Sequence, residues 1–123
     1  MSIKRVTLVT GGSRGIGAAA AKLCAKAGHA VAVNYLTNAD KAEAVALEIR
    51  DTGGLAMTVQ ADTGDEDQVE RMFDDVTAEL GLITGLVNNA GVHGPRGRLD
   101  ELTNDEIEAV LNTNVLGCFL CAR

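Results

Sequence analysis

The chain has 123 residues, 46% of them hydrophobic but only 2% aromatic, with a net charge of −6 and three cysteines. The acidic balance leaves no basic stripe for nucleic acid, and no apolar run is long enough to span a membrane. Three cysteines cannot build a disulfide framework.

The elements alternate. A β-branched run predicts a first strand over 3–9, and an alanine-rich run predicts a helix over 15–27, with Ile16, Ala20, Leu23 and Ala27 facing inward and Gly28 as its stop. Residues 30–35 read as the second strand. A second helix from about Asn38 turns Ala42, Val45, Ala46 and Ile49 inward and ends at Gly53-Gly54. A third strand over 55–60 precedes a helix carrying Val69, Met72, Phe73, Val76 and Leu80. Its start reads as a Thr63-x-x-Glu66 capping box and its stop as Gly81. The fourth strand covers 82–87. After a loop over 91–102, a last helix opens with Thr103-x-x-Glu106 and runs to the end.

Strands alternating with helices predict right-handed crossovers and a parallel sheet. The fold class is α/β, a Rossmann-type doubly wound sheet with strand order 3-2-1-4, and residues 1–123 form one domain or part of one. The last helix stops at Arg123 with no glycine and no following strand, so the chain is expected to be the N-terminal portion of a longer protein. The first residues lead straight into a strand without a signal-peptide core, so a cytoplasmic location is expected.

Two loops carry the chemistry. Gly11-Gly12-Ser13-Arg14-Gly15-Ile16-Gly17 joins the first strand to the first helix. Glycines there make the turn, admit a ligand and let helix close on strand, while helix N–H groups face an anion such as a pyrophosphate. Asn88-Asn89-Ala90-Gly91 follows the fourth strand. The predicted topology brings both loops to the crevice where the strand order reverses. Cys118-Phe119-Leu120-Cys121 matches Cys-x-x-Cys, but it lies late in a helical run and has no second ligand pair, so these are small core or interface residues. No metal site is expected.

The end of the second strand bears on cofactor choice. An acidic residue there commonly receives the ribose 2′-hydroxyl of NAD. The position here is Asn34 or Tyr35, and the nearest acid is Asp40. Arg14 reads as a solvated helix-start residue or, with Ser13, as a donor to a 2′-phosphate. The second reading predicts NADP, with NAD as the alternative. Asp62 and Thr63 read as helix-entry residues. Asn114 falls on the apolar stripe of Ile107, Val110, Leu111 and Cys118, which predicts a buried, paired amide.

Thr10-Gly11-x-x-x-Gly15-x-Gly17, Asp62, Asn88-Asn89-Ala90-Gly91 and Asn114 together resemble the N-terminal half of a short-chain dehydrogenase/reductase, similar to glucose dehydrogenase-like and β-ketoacyl reductase-like members. The resemblance implies a pyrophosphate on Gly11, Ser13, Arg14, Gly15, Ile16 and Gly17, with Asn34 and Tyr35 near the 2′ position. It implies Asp62 and Thr63 beside adenine, and Asn89, Ala90 and Gly91 along the riboses. Asn114 is similar to the family's catalytic asparagine, which bends its helix and holds a water in the proton relay. The family's serine, tyrosine and lysine are not in this sequence. No Tyr-x-x-x-Lys occurs, and the only tyrosine is Tyr35. The resemblance implies an oxidoreductase acting on a carbonyl or secondary alcohol, and a homotetramer or homodimer through the last helix. A non-catalytic dinucleotide-binding module or an inactive truncated fragment is the alternative. A methyltransferase would want an acid ending the second strand.

Overall fold

A computed structural model describes residues 4–123. The predicted start of the first strand at Ile3 lies outside these residues. Four parallel strands, β1 (Val6–Val9), β2 (Ala30–Tyr35), β3 (Ala56–Gln60) and β4 (Gly85–Val87), pair in the order β3-β2-β1-β4. Register runs Leu8 to Ala32 and Leu86, and Val33 to Thr58. Helices α1 (Gly15–Lys26), α2 (Ala39–Asp51) and α3 (Glu66–Leu80) are the crossovers. Short Leu99–Glu101 and α4 (Asn104–Leu111) follow β4. A π-helical turn (Asn112–Leu116) then leads into α5 (Gly117–Ala122).

Successive strand residues point to opposite faces, and each face has its own core. Val6, Leu8, Ala32 and Val59 pack under Val69, Met72 and Val76 of α3 and Cys121 of α5. Val9, Val31 and Val33 pack under Ala18 and Ala21 of α1 and Ala42, Val45 and Ile49 of α2. With β1 and β2 buried on both sides, near-continuous Val, Leu and Ala runs are what the middle of such a sheet requires.

Four local expectations are corrected. Helix α1 turns Gly17, Ala18 and Ala21 inward, while Ile16 is 81% and Leu23 66% exposed. Only the face without bulk lets this helix close on the glycine loop. Helix α3 is capped by Asp65, whose Oδ1 accepts from the Gln68 N–H at 3.0 Å. Thr63 is buried instead of capping. The β4 ladder starts at Gly85 because Thr84 Oγ1, not a strand carbonyl, receives the Val6 N–H at 3.0 Å. The last helix is interrupted by the π turn, although its Thr103/Glu106 capping box forms as expected. Backbone and side-chain hydrogen bonds with Thr103 hold the Glu106 carboxyl below its ordinary range.

Candidate dinucleotide site

The site is built on Thr10, which is fully buried at the end of β1. Its Oγ1 accepts from the N–H groups of Asn89 and Ala90, both at 2.9 Å, and donates to the Val87 carbonyl at 3.4 Å. Asn89 answers from the other side: its Nδ2 donates to the carbonyls of Thr10 and Gly11 at 3.1 and 3.0 Å. The two loops that the sequence brings to one crevice are thus tied by five hydrogen bonds among Thr10, Gly11, Val87, Asn89 and Ala90.

Asn34 ties the same loop to the opposite strand. The side chain is 2% exposed. Its Oδ1 accepts from the Gly11 N–H at 3.0 Å, and its Nδ2 reaches the Val59 and Ala61 carbonyls at 3.3 and 3.2 Å. The Gly12 N–H donates to the Asn34 carbonyl at 2.8 Å. Asn34 is therefore turned into the sheet, with both ends of its amide bonded inside the protein. Asn34 also lines the cleft between the two loops.

Held from both sides, the loop turns at Gly11, where φ is +60°. A Cβ on Gly17 would overlap the Gly11 carbonyl oxygen and stand 2.5 Å from Asn89 Nδ2. Glycine at 17 is thus what lets α1 seat its N-terminus against the loop. The first N–H groups of that helix have no intrahelical partner, and Gly15 and Ile16 of its first turn line the crevice.

Between the two loops lies a cleft of about 470 Å³. Every expected cofactor residue except Gly17 lines it; Gly17 is buried in the first turn of α1. Arg14 is the one cation and Asp62 the one carboxylate among the described lining residues. Arg14 forms no ion pair among the described residues. Asp62 accepts from the Gly64 N–H at 2.9 Å through Oδ1, and its own N–H donates to Gln68 Oε1 at 2.8 Å. Leu36, Thr37 and Asn38 also line the cleft. Nothing in the sequence of this short connection after β2 marks it as a wall of the cleft.

Asn114 lies in the middle of the π turn. Its side chain is exposed rather than buried, and both ends are committed to one residue: Oδ1 accepts from the Val92 N–H and Nδ2 donates to the Val92 carbonyl, each at 2.7 Å. The apolar stripe is itself not buried: α4 has no buried residue and Leu111 is 52% exposed. Through Val92, Asn114 clamps the loop after β4, while its neighbour Thr113 lines the cleft.

A larger hollow, about 740 Å³, lies at the opposite ends of the strands between α1 and α2. The Lys22–Glu48 ion pair at 2.8 Å is part of its wall, and none of the expected site residues reaches it. Among the described residues no helix is long and apolar enough to cross a membrane.

The family model described as short chain dehydrogenase matches residues 5–123. An uncharacterized oxidoreductase of Escherichia coli, YgfF, is 47% identical over 96% of this chain and 48% of its own length. The 3-oxoacyl-acyl-carrier-protein reductase FabG of Staphylococcus aureus is 40% identical over the whole chain and 50% of its own length. Among solved structures, a short chain dehydrogenase from Burkholderia cenocepacia in complex with NADP superposes with a TM-score of 0.90 at 45% identity, covering 97% of this chain and 48% of that one. A blue fluorescent protein from a metagenomic library in complex with NADPH gives 0.88 at 38% identity, over 95% of this chain and 48% of that one. The chain spans about half the length of the relatives it matches.

Proposed function

The chain belongs to the short-chain dehydrogenase/reductase family, and on that premise we propose that the whole protein is an oxidoreductase that moves a hydride between NADP(H) and a small carbonyl or secondary alcohol. Residues 1–123 supply the cofactor-binding part of its domain. When bound, the nicotinamide supplies the hydride. This chain binds and orients it: the N-terminus of α1 and its glycine loop take the pyrophosphate, Asp62 and Thr63 border the adenine, and Ala90 and Gly91 border the riboses. Asn34 and Asn89 act beneath them, holding the loops in place. The fit rests on the built cradle, since a Cβ at Gly17 would push α1 off the glycine loop that forms it.

The observation that carries the NADP reading is the pairing of a free Arg14 with a β2 end that offers no carboxylate. An Arg donor to phosphate is charge-assisted and can be bidentate. Asn114 acts through its segment: with both ends of its amide on Val92, the atom it offers a relay water is its main-chain carbonyl, which also receives the weak Cys118 thiol donor at 3.4 Å. The π turn, in which the Gly117 N–H reaches the Asn112 carbonyl, widens the helix beside that atom. We also read the protein as cytoplasmic and as a homodimer or homotetramer. Support for the oligomer is the apolar strip of Leu111, Val115, Leu116 and Phe119, the last 71% exposed.

The test is to mix the whole protein with NADPH or NADH and a panel of sugars, ketoesters and steroids, and to follow cofactor absorbance. Turnover with a member of the panel, faster per unit concentration with NADPH, is expected. Binding of neither nucleotide refutes the reading.

A further inference from the structure

Two glycines join the adenine side of the cleft to the turn that carries Asn114. A Cβ on Gly117, the first residue of α5, would lie 3.0 Å from both the carbonyl oxygen and Oγ1 of Thr63. A Cβ on Gly64 would lie 3.0 Å from the Asn112 carbonyl oxygen and 3.1 Å from its carbon. The contacted atoms at both points are mostly main chain, which cannot swing aside as a side chain can. Thr63 is 5% exposed and Gly117 is buried, so the seam has no slack.

Each side of the seam is rigidly connected to one function. Asp62, Thr63 and Gly64 move as a unit, because Asp62 Oδ1 holds the Gly64 N–H and Gln68 of α3 holds the Asp62 N–H. On the other side, Gly117 lies three residues after Asn114. Asn114 in turn clamps Val92, and Asn88 Nδ2 donates to the Cys118 carbonyl at 2.9 Å. A displacement at Thr63 therefore meets a continuous chain of contacts to the π turn and to the loop after β4.

We propose that Gly64 and Gly117 are positioning residues: through their seam, a nucleotide that settles Asp62 and Thr63 also settles the π turn and the Asn114 carbonyl. The adenine end of the cofactor, remote from the reacting carbon, then helps set the proton-relay geometry. This rests on the reading above that the cleft takes NADP(H). Binding energy from a non-reacting part of the ligand is thereby put to use at the reacting end.

The experiment is a titration of the nitrogen-labelled whole protein with adenosine 2′,5′-bisphosphate, which carries no nicotinamide, followed by NMR. Expected are shifts of the Asp62 and Gly64 amides together with those of Asn112, Gly117 and the Asn114 carboxamide. In parallel, Gly117→Ala, which touches no ligand, is expected to raise the dissociation constant of the bisphosphate about fivefold or more. If the Asp62 and Gly64 signals move while Asn112 and the Asn114 carboxamide stay, the inference is overturned and the cofactor reading stands. If a folded Gly117→Ala binds the bisphosphate within about twofold of the parent, the inference is likewise overturned. Should that variant not fold, the titration of the parent decides alone. If no signal moves, the cofactor reading itself fails.

Discussion

Replacing Asn34 with aspartate changes one NH₂ group to an oxygen and leaves shape almost untouched, yet it should convert the protein's stability into a function of pH. In the parent, Oδ1 accepts from Gly11 and Nδ2 faces the Tyr35, Val59 and Ala61 carbonyls at 3.4, 3.3 and 3.2 Å. An ionised carboxylate would aim its second oxygen at three acceptors in a site that is 2% exposed. The folded state must therefore keep the introduced carboxyl protonated, with its O–H donating to one carbonyl. An ordinary aspartate ionises near pH 3.9, about three units below neutrality, and each unit costs about 1.4 kcal/mol, so the penalty approaches about 4 kcal/mol at pH 7. The sign follows from linkage. The folded value is raised above the unfolded one, so the stability is retained below about pH 4 and lost as pH rises, at about 1.4 kcal/mol per unit until the folded value is reached. At acid pH only the missing second donor remains, worth about 1 kcal/mol. Urea unfolding of Asn34→Asp and its parent at several pH values between about 5 and 7 reads the difference directly. Parallel curves, displaced by a constant, would refute the placement of Asn34 inside the sheet.

Arg14→Ala should raise the NADP dissociation constant about ten- to a hundredfold, the loss of one charge-assisted contact, and leave the NAD constant nearly unmoved; calorimetric titration with both nucleotides checks it. Gly17→Ala should lower stability by about 1–3 kcal/mol and weaken nucleotide binding with it, because its methyl overlaps the Gly11 carbonyl; thermal unfolding with and without NADP measures both. Burial, with the Cys118 charge adding to it, pushes the Cys121 thiol up to about 11. Iodoacetamide at pH 8 should therefore label Cys24 and Cys118 well before Cys121, and mass spectrometry of the labelled peptides would expose an early Cys121 adduct as contrary evidence.

The parts of the fold that depend on pattern are legible in the residues. Strand–helix alternation gives the order of the sheet, and the glycine loop with Asn88-Asn89-Ala90-Gly91 locates the cleft. Periodicity misassigns the α1 face because it assumes that bulk seeks the core. Here contact distance rules instead, and Gly17, Ala18 and Ala21 win over Ile16 and Leu23. Periodicity over residues 112–116 gives no sign of a π turn, and the bend there is legible only through the resemblance at Asn114. Asn34 and Thr10 are hidden for a different reason. Their roles are bonds to residues 23 to 80 positions away, and local chemistry does not indicate which carbonyl a side chain will find. Asp65-x-x-Gln68 carries the same capping signal as Thr63-x-x-Glu66 two residues earlier, so the cap could have been found.

The threonine at the end of β1 has a kinetic consequence. Its hydroxyl is saturated by partners within the protein, so the floor of the cleft is finished before any nucleotide arrives. Ordering a loop costs about 1–2 kcal/mol per residue, and that cost has been met during folding rather than on encounter. Association should then occur in a single phase whose rate rises linearly with nucleotide concentration, without the plateau that a slow rearrangement of the floor would impose. Amide protons of Asn89 and Ala90 should exchange with solvent as slowly in the empty protein as in the loaded one.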